Sequence, residues 1–383
     1  MPSLNTTAVT PSSRQPRGAV KIYYLDDYGN SVGEIVPGWT SWEVDNNAYR
    51  SADTFRVKFS AALMPSTRDI NWLSNQANIG VEIFANESPL DPNNYVPLQS
   101  DSLIFGSVDD VAYDPVLGAI ELTGRDLTAK LIDTKTSEHF KEKTSSQIAT
   151  ILAKRHGLGV GNIVATTKTA GYYYAHDHSS TTQEQSEWEL LTYLANLEDF
   201  DVYVKGRDLY FQPRVASTGN YIIDWKPPDA GHGYAISNVV DLRFTRALHI
   251  AKGVVVEVHS WNSKSKTGFS ETWPRNAKAI KPGQAEARSQ VYRYTFPGLD
   301  RDKAQQRAQS IYKQIVAHEM RLTGYLPADS ILDCSKMIVV QGTGSSFDQA
   351  YYPESVMRSM SMSEGYRMNI RAKNTGPALE NPQ

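Results

Sequence analysis

The chain has 383 residues, 40% hydrophobic and 21% charged, with 21 Tyr, 11 Phe and 7 Trp. This is globular composition, which excludes a disordered chain and, at roughly 100–200 residues per domain, predicts two to four domains. The single cysteine, Cys334, excludes both an intramolecular disulfide framework and a cysteine-built zinc site. The formal net charge of -3 divides into -8 over residues 1–134, -1 over 135–220 and +6 over 221–383. An acidic front and a basic back can attract each other within one chain or between chains.

Residues 1–17 are rich in Ser, Thr and Pro and read as a flexible leader without the apolar core of a signal peptide. From residue 18 to 125 short apolar runs alternate with turn signals such as Asp26-Asp27-Tyr28-Gly29-Asn30. Strands are expected at Val20–Leu25, Trp39–Val44, Thr54–Phe59, Val81–Ala85, Ile104–Val111 and Ile120–Thr123. Thr54–Phe59 alternates so that Phe55, Val57 and Phe59 share a face. The exception is Thr67–Ser74, where Ile70 and Leu73 have helical spacing. This pattern predicts a first β-barrel domain over 18–125.

The texture changes over residues 126–214, where a small α/β domain is expected. Asp126 can cap a short helix carrying Leu127, Leu131 and Ile132 inward. Thr144-Ser145-Ser146-Gln147 is a capping box ahead of Ile148, Ile151 and Leu152, and that helix should stop at Gly157. A second capping box, Ser186-Glu187-Trp188-Glu189, opens a helix with Leu190, Leu191, Leu194 and Leu197. A hairpin follows, Asp201–Lys205 and Asp208–Gln212, turning at Gly206-Arg207.

Strands return at Val239–Thr245 and Lys252–Ser260. A second β-barrel domain is expected over 215–261 and 321–373, split by a helix-bearing insertion at 262–320. The stretch 262–283 is polar and reads as a loop. A helix from about Asp302 to Met320 carries Ala304, Ala308, Ile311, Tyr312, Ile315 and Val316 on one stripe, with Gly324 ending the segment. Ser335–Gln341, Met357–Ser363 and Tyr366–Ala372 read as strands, and residues 374–383 as a flexible tail. No internal repeat aligns in the sequence. The fold class is therefore α+β and mainly β.

Motifs that carry chemistry are scarce. Gly157-Leu158-Gly159-Val160-Gly161 follows a helix, whereas a phosphate cradle precedes one. Gly342-Thr343-Gly344-Ser345-Ser346 lacks the spacing of a nucleophile elbow. His176 and His178, with Asp177 between them and His156 or another acid as a further donor, are the best metal candidate, but they run into a polar loop, which is the favoured reading. Asp109-Asp110 are adjacent on a strand and point to opposite faces. Cys334 reads as a small core hydrophobe. No catalytic residue, cofactor site or metal site is predicted.

One set of segments does more. Gly124-Arg125-Asp126-Leu127-Thr128-Ala129-Lys130-Leu131-Ile132-Asp133, His139-Phe140, Thr144–Gly157, Gln185-Ser186-Glu187-Trp188-Glu189-Leu190-Leu191 and Leu209-Tyr210-Phe211-Gln212-Pro213 resemble the tail-hub family of contractile phages. That family includes the late control D proteins, the hubs of phage Mu and T-even phages, and the N-terminal part of type VI secretion spike proteins. The residues carrying the resemblance include Gly124, Arg125, Asp126, Leu127, Leu131, Gly157, Ser186, Trp188, Leu191 and Phe211. The resemblance implies a structural, non-enzymatic virion protein of the tail baseplate, assembled in the host cytoplasm. It implies a homotrimer whose two similar β-barrels per chain make a pseudo-six-fold ring. Such a ring adapts the six-fold tail tube to a three-fold spike and leaves a channel through which genomic DNA passes without specific binding. The implied partners are the spike protein, expected as a separate chain, the tube or tube-initiator protein, baseplate wedges and the tape measure protein. Against it stand a tail-tip cell-wall hydrolase and a glycan-binding β-protein, the latter prompted by Tyr172-Tyr173-Tyr174.

Overall fold

A computed structural model describes residues 15–25, 31–48, 51–136, 138, 140, 142–167, 185–198, 200–213, 218–228, 233–247, 254–262, 267–275, 290–296, 299, 301–316 and 320–374. The fold is α+β and mainly β, as the sequence predicts. The first β unit holds β1 (Arg17–Leu25), β2 (Ser31–Ile35), β3 (Trp39–Asn47), β4 (Thr54–Ser60), the short helix α1 (Ile70–Ser74), β5 (Gly80–Asn86), β6 (Ser102–Asp114) and β7 (Ala119–Asp126). An α/β unit follows with α2 (Thr128–Asp133), β8 (Lys135–Thr136), α3 (Ser145–Arg155), β9 (Gly159–Ile163), β10 (Gln185–Ser186), α4 (Glu187–Glu198), β11 (Phe200–Lys205) and β12 (Asp208–Pro213). Then come β13 (Asn220–Lys226), β14 (Ile236–Ser237) and β15 (Asp241–Arg246). They are followed by β16 (Val254–Asn262), β17 (Thr267–Trp273), β18 (Gln290–Thr295) and the helix α5 (Arg301–Val316). The chain closes with β19 (Met320–Pro327), β20 (Met337–Gln341), β21 (Ala350–Ser361) and β22 (Gly365–Asn374).

The two β units repeat one strand order. The first runs β3-β4-β7-β6-β5-β1-β2 and the second β15-β19-β22-β21-β20-β13-β14. They differ in one pairing: β1 lies antiparallel to β5, whereas β13 lies parallel to β20. Antiparallel pairing of β21 with β3, from Ser355 opposite Asn47 to Ser361 opposite Ser41, joins them into a single 14-stranded sheet. One core spans both units, with Trp42, Val57, Phe59 and Leu122 from the first and Leu322, Tyr351, Met368 and Ile370 from the second. Among the described residues no barrel closes within the chain, because β6 beyond its bulge and β15 each have a neighbour on one side only.

The α/β unit has its own core, in which Leu131, Ile148, Leu152, Leu191, Leu194, Leu209 and Phe211 are fully buried. Its helix signals act as the sequence predicts. Thr144 Oγ1 accepts the Gln147 amide while Gln147 Oε1 accepts the Thr144 amide. Ser186 and Glu189 make the same reciprocal pair. Gly157 takes φ of +67° and ends α3, and Gly206 takes +61° in the hairpin turn. The unit is tied to the first β unit by Arg207, whose guanidinium lies 4.2 Å from the Phe105 ring centroid and 5.0 Å from that of Tyr23.

Four sequence expectations fail. Asp109 and Asp110, expected on opposite faces of a strand, both lie on the outer face, because Asp109 is the extra residue of a bulge between Val108 and Asp110 that breaks the alternation. The strand beginning at Val254, expected in the second β domain, pairs instead with β17 and β18. There it forms a three-stranded sheet whose Val254, Val256 and Val258 pack on Ala304, Ala308 and Ile311 of α5. An all-valine run says that a strand is buried but not against which layer. Part of the polar stretch 262–283 is strand β17, whose Phe269 and Trp273 face α5 while polar residues between them mask the alternation. Gly324 ends nothing; it lies inside β19, where a Cβ would come within 3.0 Å of Ile370.

Because one core serves both β units, they should unfold together. Leu122→Ala and Leu322→Ala, both 0% exposed, are each expected to cost about 2–5 kcal/mol. Both should shift the same denaturant transition, followed by far-UV circular dichroism; two separable transitions moved one by each variant would contradict the shared core.

Candidate functional site

The residues behind the family resemblance gather where the first β unit passes into the α/β unit. Gly124 on β7 lies beside Gly106 on β6, and both sit under the Phe55 ring. A Cβ on Gly124 would fall 2.1 Å from the Ser107 carbonyl oxygen and 2.6 Å from Phe55, so only glycine allows this approach. Arg125 points to the opposite face. It binds Asp109 through Nε (2.7 Å) and Nη2 (3.1 Å), and Asp133 through Nη1 (3.1 Å) and Nη2 (2.8 Å). One guanidinium thereby joins β6, β7 and α2; at about one-third exposure each ion pair contributes about 1 kcal/mol or less.

Asp126 is buried, and its carboxylate accepts the Thr128 amide (3.2 Å) and hydroxyl (2.9 Å), which starts α2. The Asp126 amide donates to the Asp53 carbonyl oxygen. Asp53 in turn accepts from Asn46 Nδ2 (2.9 Å) and the Asn47 amide (2.7 Å). Burial, reinforced by the charge of Asp53, pushes Asp126 up to about 8, and burial, reinforced by the charge of Asp45, pushes Asp53 up to about 6. Leu127, Leu131, Trp188, Leu191 and Phe211 lie in the α/β core. The sequence motifs thus divide into a junction (Gly124, Arg125, Asp126), helix ends (Gly157, Ser186) and a core.

A feature missed by sequence reasoning repeats this junction in the second β unit. β6 carries a bulge between Val108 and Asp110, and β21 one between Pro353 and Ser355. Aligned on the bulges, Asp109 corresponds to Glu354, Gly124 to Ala372, Arg125 to Lys373 and Asp126 to Asn374. Glu354 binds Lys373 at 2.7 Å, as Asp109 binds Arg125. Asn374 is 3% exposed and accepts the Met320 amide, in the place where Asp126 meets Asp53. The signal was an acidic residue followed about one hairpin later by a basic one, which is invisible without the register.

The second unfilled feature, among the described residues, is the pair of edges at the two ends of one strand run. β15, β19, β22, β21, β3, β4, β7 and β6 form a continuous run of eight antiparallel strands. One face of the run covers the core. On the other, the second unit carries Arg243, Arg321, Arg367, Arg371 and Lys373 against Asp241 and Glu354, while the first carries Glu43, Asp45, Asp109, Asp110, Asp114 and Glu121 against Arg56, Lys58 and Arg125. The charge division of the sequence is therefore displayed on one surface. At the β6 end, Val111 is 37% and Tyr113 44% exposed although both point to the core side, opposite Leu122 and Ile120.

Of the metal candidate, His156 alone lies among the described residues. His156 Nε2 lies 2.5 Å from Glu187 Oε2, a fully buried carboxylate that also takes Arg155 at 2.5 Å. His176 and His178 lie outside the described residues, as do Asp177, His139 and Tyr172–Tyr174. No group of three or more His, Cys, Asp or Glu is poised for a metal among the described residues. The Cys334 thiol packs against the shared core and is pushed up to about 12 by burial.

No protein-family model matches the sequence, and no curated protein does. Solved structures do. The 43 kDa tail protein of prophage MuSo2 from Shewanella oneidensis aligns over 93% of this chain and 98% of its own, with TM-score 0.64 and 14% identity. The chain has the phage tail-protein fold. The tail protein from Neisseria meningitidis MC58 shares this tail-protein fold over 93% of this chain and 96% of its own, with TM-score 0.59 and 13% identity. A chain of the Francisella PdpA–VgrG complex aligns over 96% of this chain and 60% of its own, with TM-score 0.53 and 12% identity. At these identities the likeness is one of fold.

Two outcomes follow. Gly124→Ala should destabilise the protein by about 3 kcal/mol, since backbone of β6 must give way; an unchanged melting temperature would refute the close approach. The raised carboxyls make stability fall as pH rises from about 4 through about 8, because the folded state holds protons there that the unfolded state has released. Asp126→Asn, which copies Asn374, should flatten that decline and raise the melting temperature at pH 8.5 relative to the parent.

Proposed function

We propose that the chain is a structural protein of a contractile phage tail and forms the hub of its baseplate. The observation that supports this reading best is the eight-stranded antiparallel run with two unpaired edges. An even number of alternating strands leaves β6 running opposite to β15, so a second copy can add to the first without breaking the antiparallel pattern. Edge strands with free N–H and C=O groups are the natural template for such pairing. Each chain brings two units of one strand order, so three chains make a ring of six units with three-fold symmetry. That ring can face a six-fold tail tube on one side and a three-fold spike on the other.

The charge division fits the same arrangement. In the ring, the acidic first unit of one chain meets the basic second unit of the next, which favours alternation and disfavours like-with-like contact. The eight-stranded runs then line the inside, and their polar faces form the wall of a channel for DNA. The partners in this reading are the spike, the tube or its initiator, the wedges and the tape measure protein, in a virion baseplate assembled in the host cytoplasm. The role is assembly and geometry, not bond chemistry. The domain limits fit it too: two β units flank an α/β unit, and the insertion carrying α5 interrupts the second.

The test is mass and shape. Light scattering on the purified protein should give about 128 kDa, three times the 42.7 kDa chain, and negative-stain images should resolve a hollow six-lobed ring. A monomer at every concentration would overturn the reading.

A further inference from the structure

The seam inside the chain supplies a template for the seam between chains. We propose that the free half of β6 pairs with β15 of a second copy in a single register. In that register Val111 faces Arg246, Ala112 faces Thr245, Tyr113 faces Phe244 and Asp114 faces Arg243. The inference rests on the ring reading and adds the alignment of the interface.

The register follows from the repeat. β21 is the second unit's counterpart of β6, with matching bulges at Glu354 and Asp109. Ser355, Val356, Met357, Arg358 and Ser359 therefore correspond to Asp110, Val111, Ala112, Tyr113 and Asp114. β15 is the counterpart of β3. On β22, Lys373 corresponds to Arg125, so their partners Arg321 and Thr54 correspond as well. Opposite these stand Thr245 and Asp45, so Phe244 matches Val44 and Arg243 matches Glu43. In the chain, Val356 pairs with Asn46, Met357 with Asp45, Arg358 with Val44 and Ser359 with Glu43. Replacing each residue by its counterpart gives the pairs above.

Three observations support the transfer. First, Val356 and Arg358 are 0% and 4% exposed at the closed seam, whereas their counterparts Val111 and Tyr113 are 37% and 44% exposed at the open one. An added strand covers these side chains. Second, this register sets Asp114 opposite Arg243, a favourable cross-strand pair, where the internal seam has the neutral Ser359 opposite Glu43. Third, it sets Tyr113 beside Phe244, which already stacks on Phe347 at 4.9 Å. A slip of one residue sets the core-facing Val111 and Tyr113 opposite the outward-facing Thr245 and Arg243 of the second copy, out of phase with the pleat.

Disulfide trapping tests the register. Within one chain, β6 and β15 stand seven strand spacings apart, on the order of 30 Å along the sheet, so a bond between them forms between chains. In a Cys334→Ala background, Ala112→Cys with Thr245→Cys should oxidise to covalent dimers and trimers on a non-reducing gel, lost on reduction. Ala112→Cys with Arg243→Cys, displaced by about 7 Å along the strand, should yield at least tenfold less. Arg243→Asp should separately weaken the trimer about tenfold and reverse its sensitivity to salt. Trimers that fail to cross-link at 112 and 245, or that cross-link equally at the displaced pair, overturn the register and leave the ring standing. Chains that stay monomeric remove both.

Discussion

The pairing of β21 with β3 is the interaction on which the rest of this molecule depends. It is formed by residues more than 300 positions apart in sequence, and it turns two small sheets into one. Its core side is dry: Val44 and Val356 are fully buried. There the Arg358 guanidinium bonds the Asp329 carbonyl oxygen at 3.0 Å and the Leu332 carbonyl oxygen. A buried arginine held by backbone carbonyls fixes the position of the loop after β19 against the seam. Without this pairing each β unit would keep an open edge on both sides, and the shared core would be cut in two.

The same physics explains why the molecule ends in unpaired edges. A strand order repeated head to tail produces a seam between its halves and an identical vacancy at its ends. The two halves have diverged in ways that suit a seam of mixed charge. Where the first unit has Asp126 and Asp53, a buried and a half-buried carboxyl, the second has Asn374 and Met320, a neutral pair. Where the first has Glu43, Glu121 and Thr123 on the open face, the second has Arg243, the neutral Asn369 and Arg371. Divergence of charge on a conserved framework separates one kind of seam from the other.

Attached to this sheet, the α/β unit is held by directional contacts and by Phe105, which packs on its core. Arg207 lies on Phe105 and Tyr23, Arg125 reaches Asp133 on α2, and the glycine pair Gly106 and Gly124 lets the strands close under Phe55. These contacts account for the concentration of recognisable residues between Gly124 and Asp133. They are the positions where backbone geometry and hydrogen bonding allow few substitutes.

Most local structure was legible in the sequence. Thr144–Gln147 and Ser186–Glu189 bond their own helix ends, the alternation of Phe55, Val57 and Phe59 places a strand face, and Gly157 stops a helix. These are contacts over a few residues, so the information lies side by side in the chain. The separation of negative from positive charge was legible too. What only the tertiary structure decided was which strand meets which: that Val254–Asn262 leaves the main sheet, that Gly324 sits within a strand, and that Asp109 and Glu354 occupy equivalent bulges. Backbone hydrogen bonds between strands carry no side-chain signature, so partner and register are settled by the burial of whole faces in three dimensions.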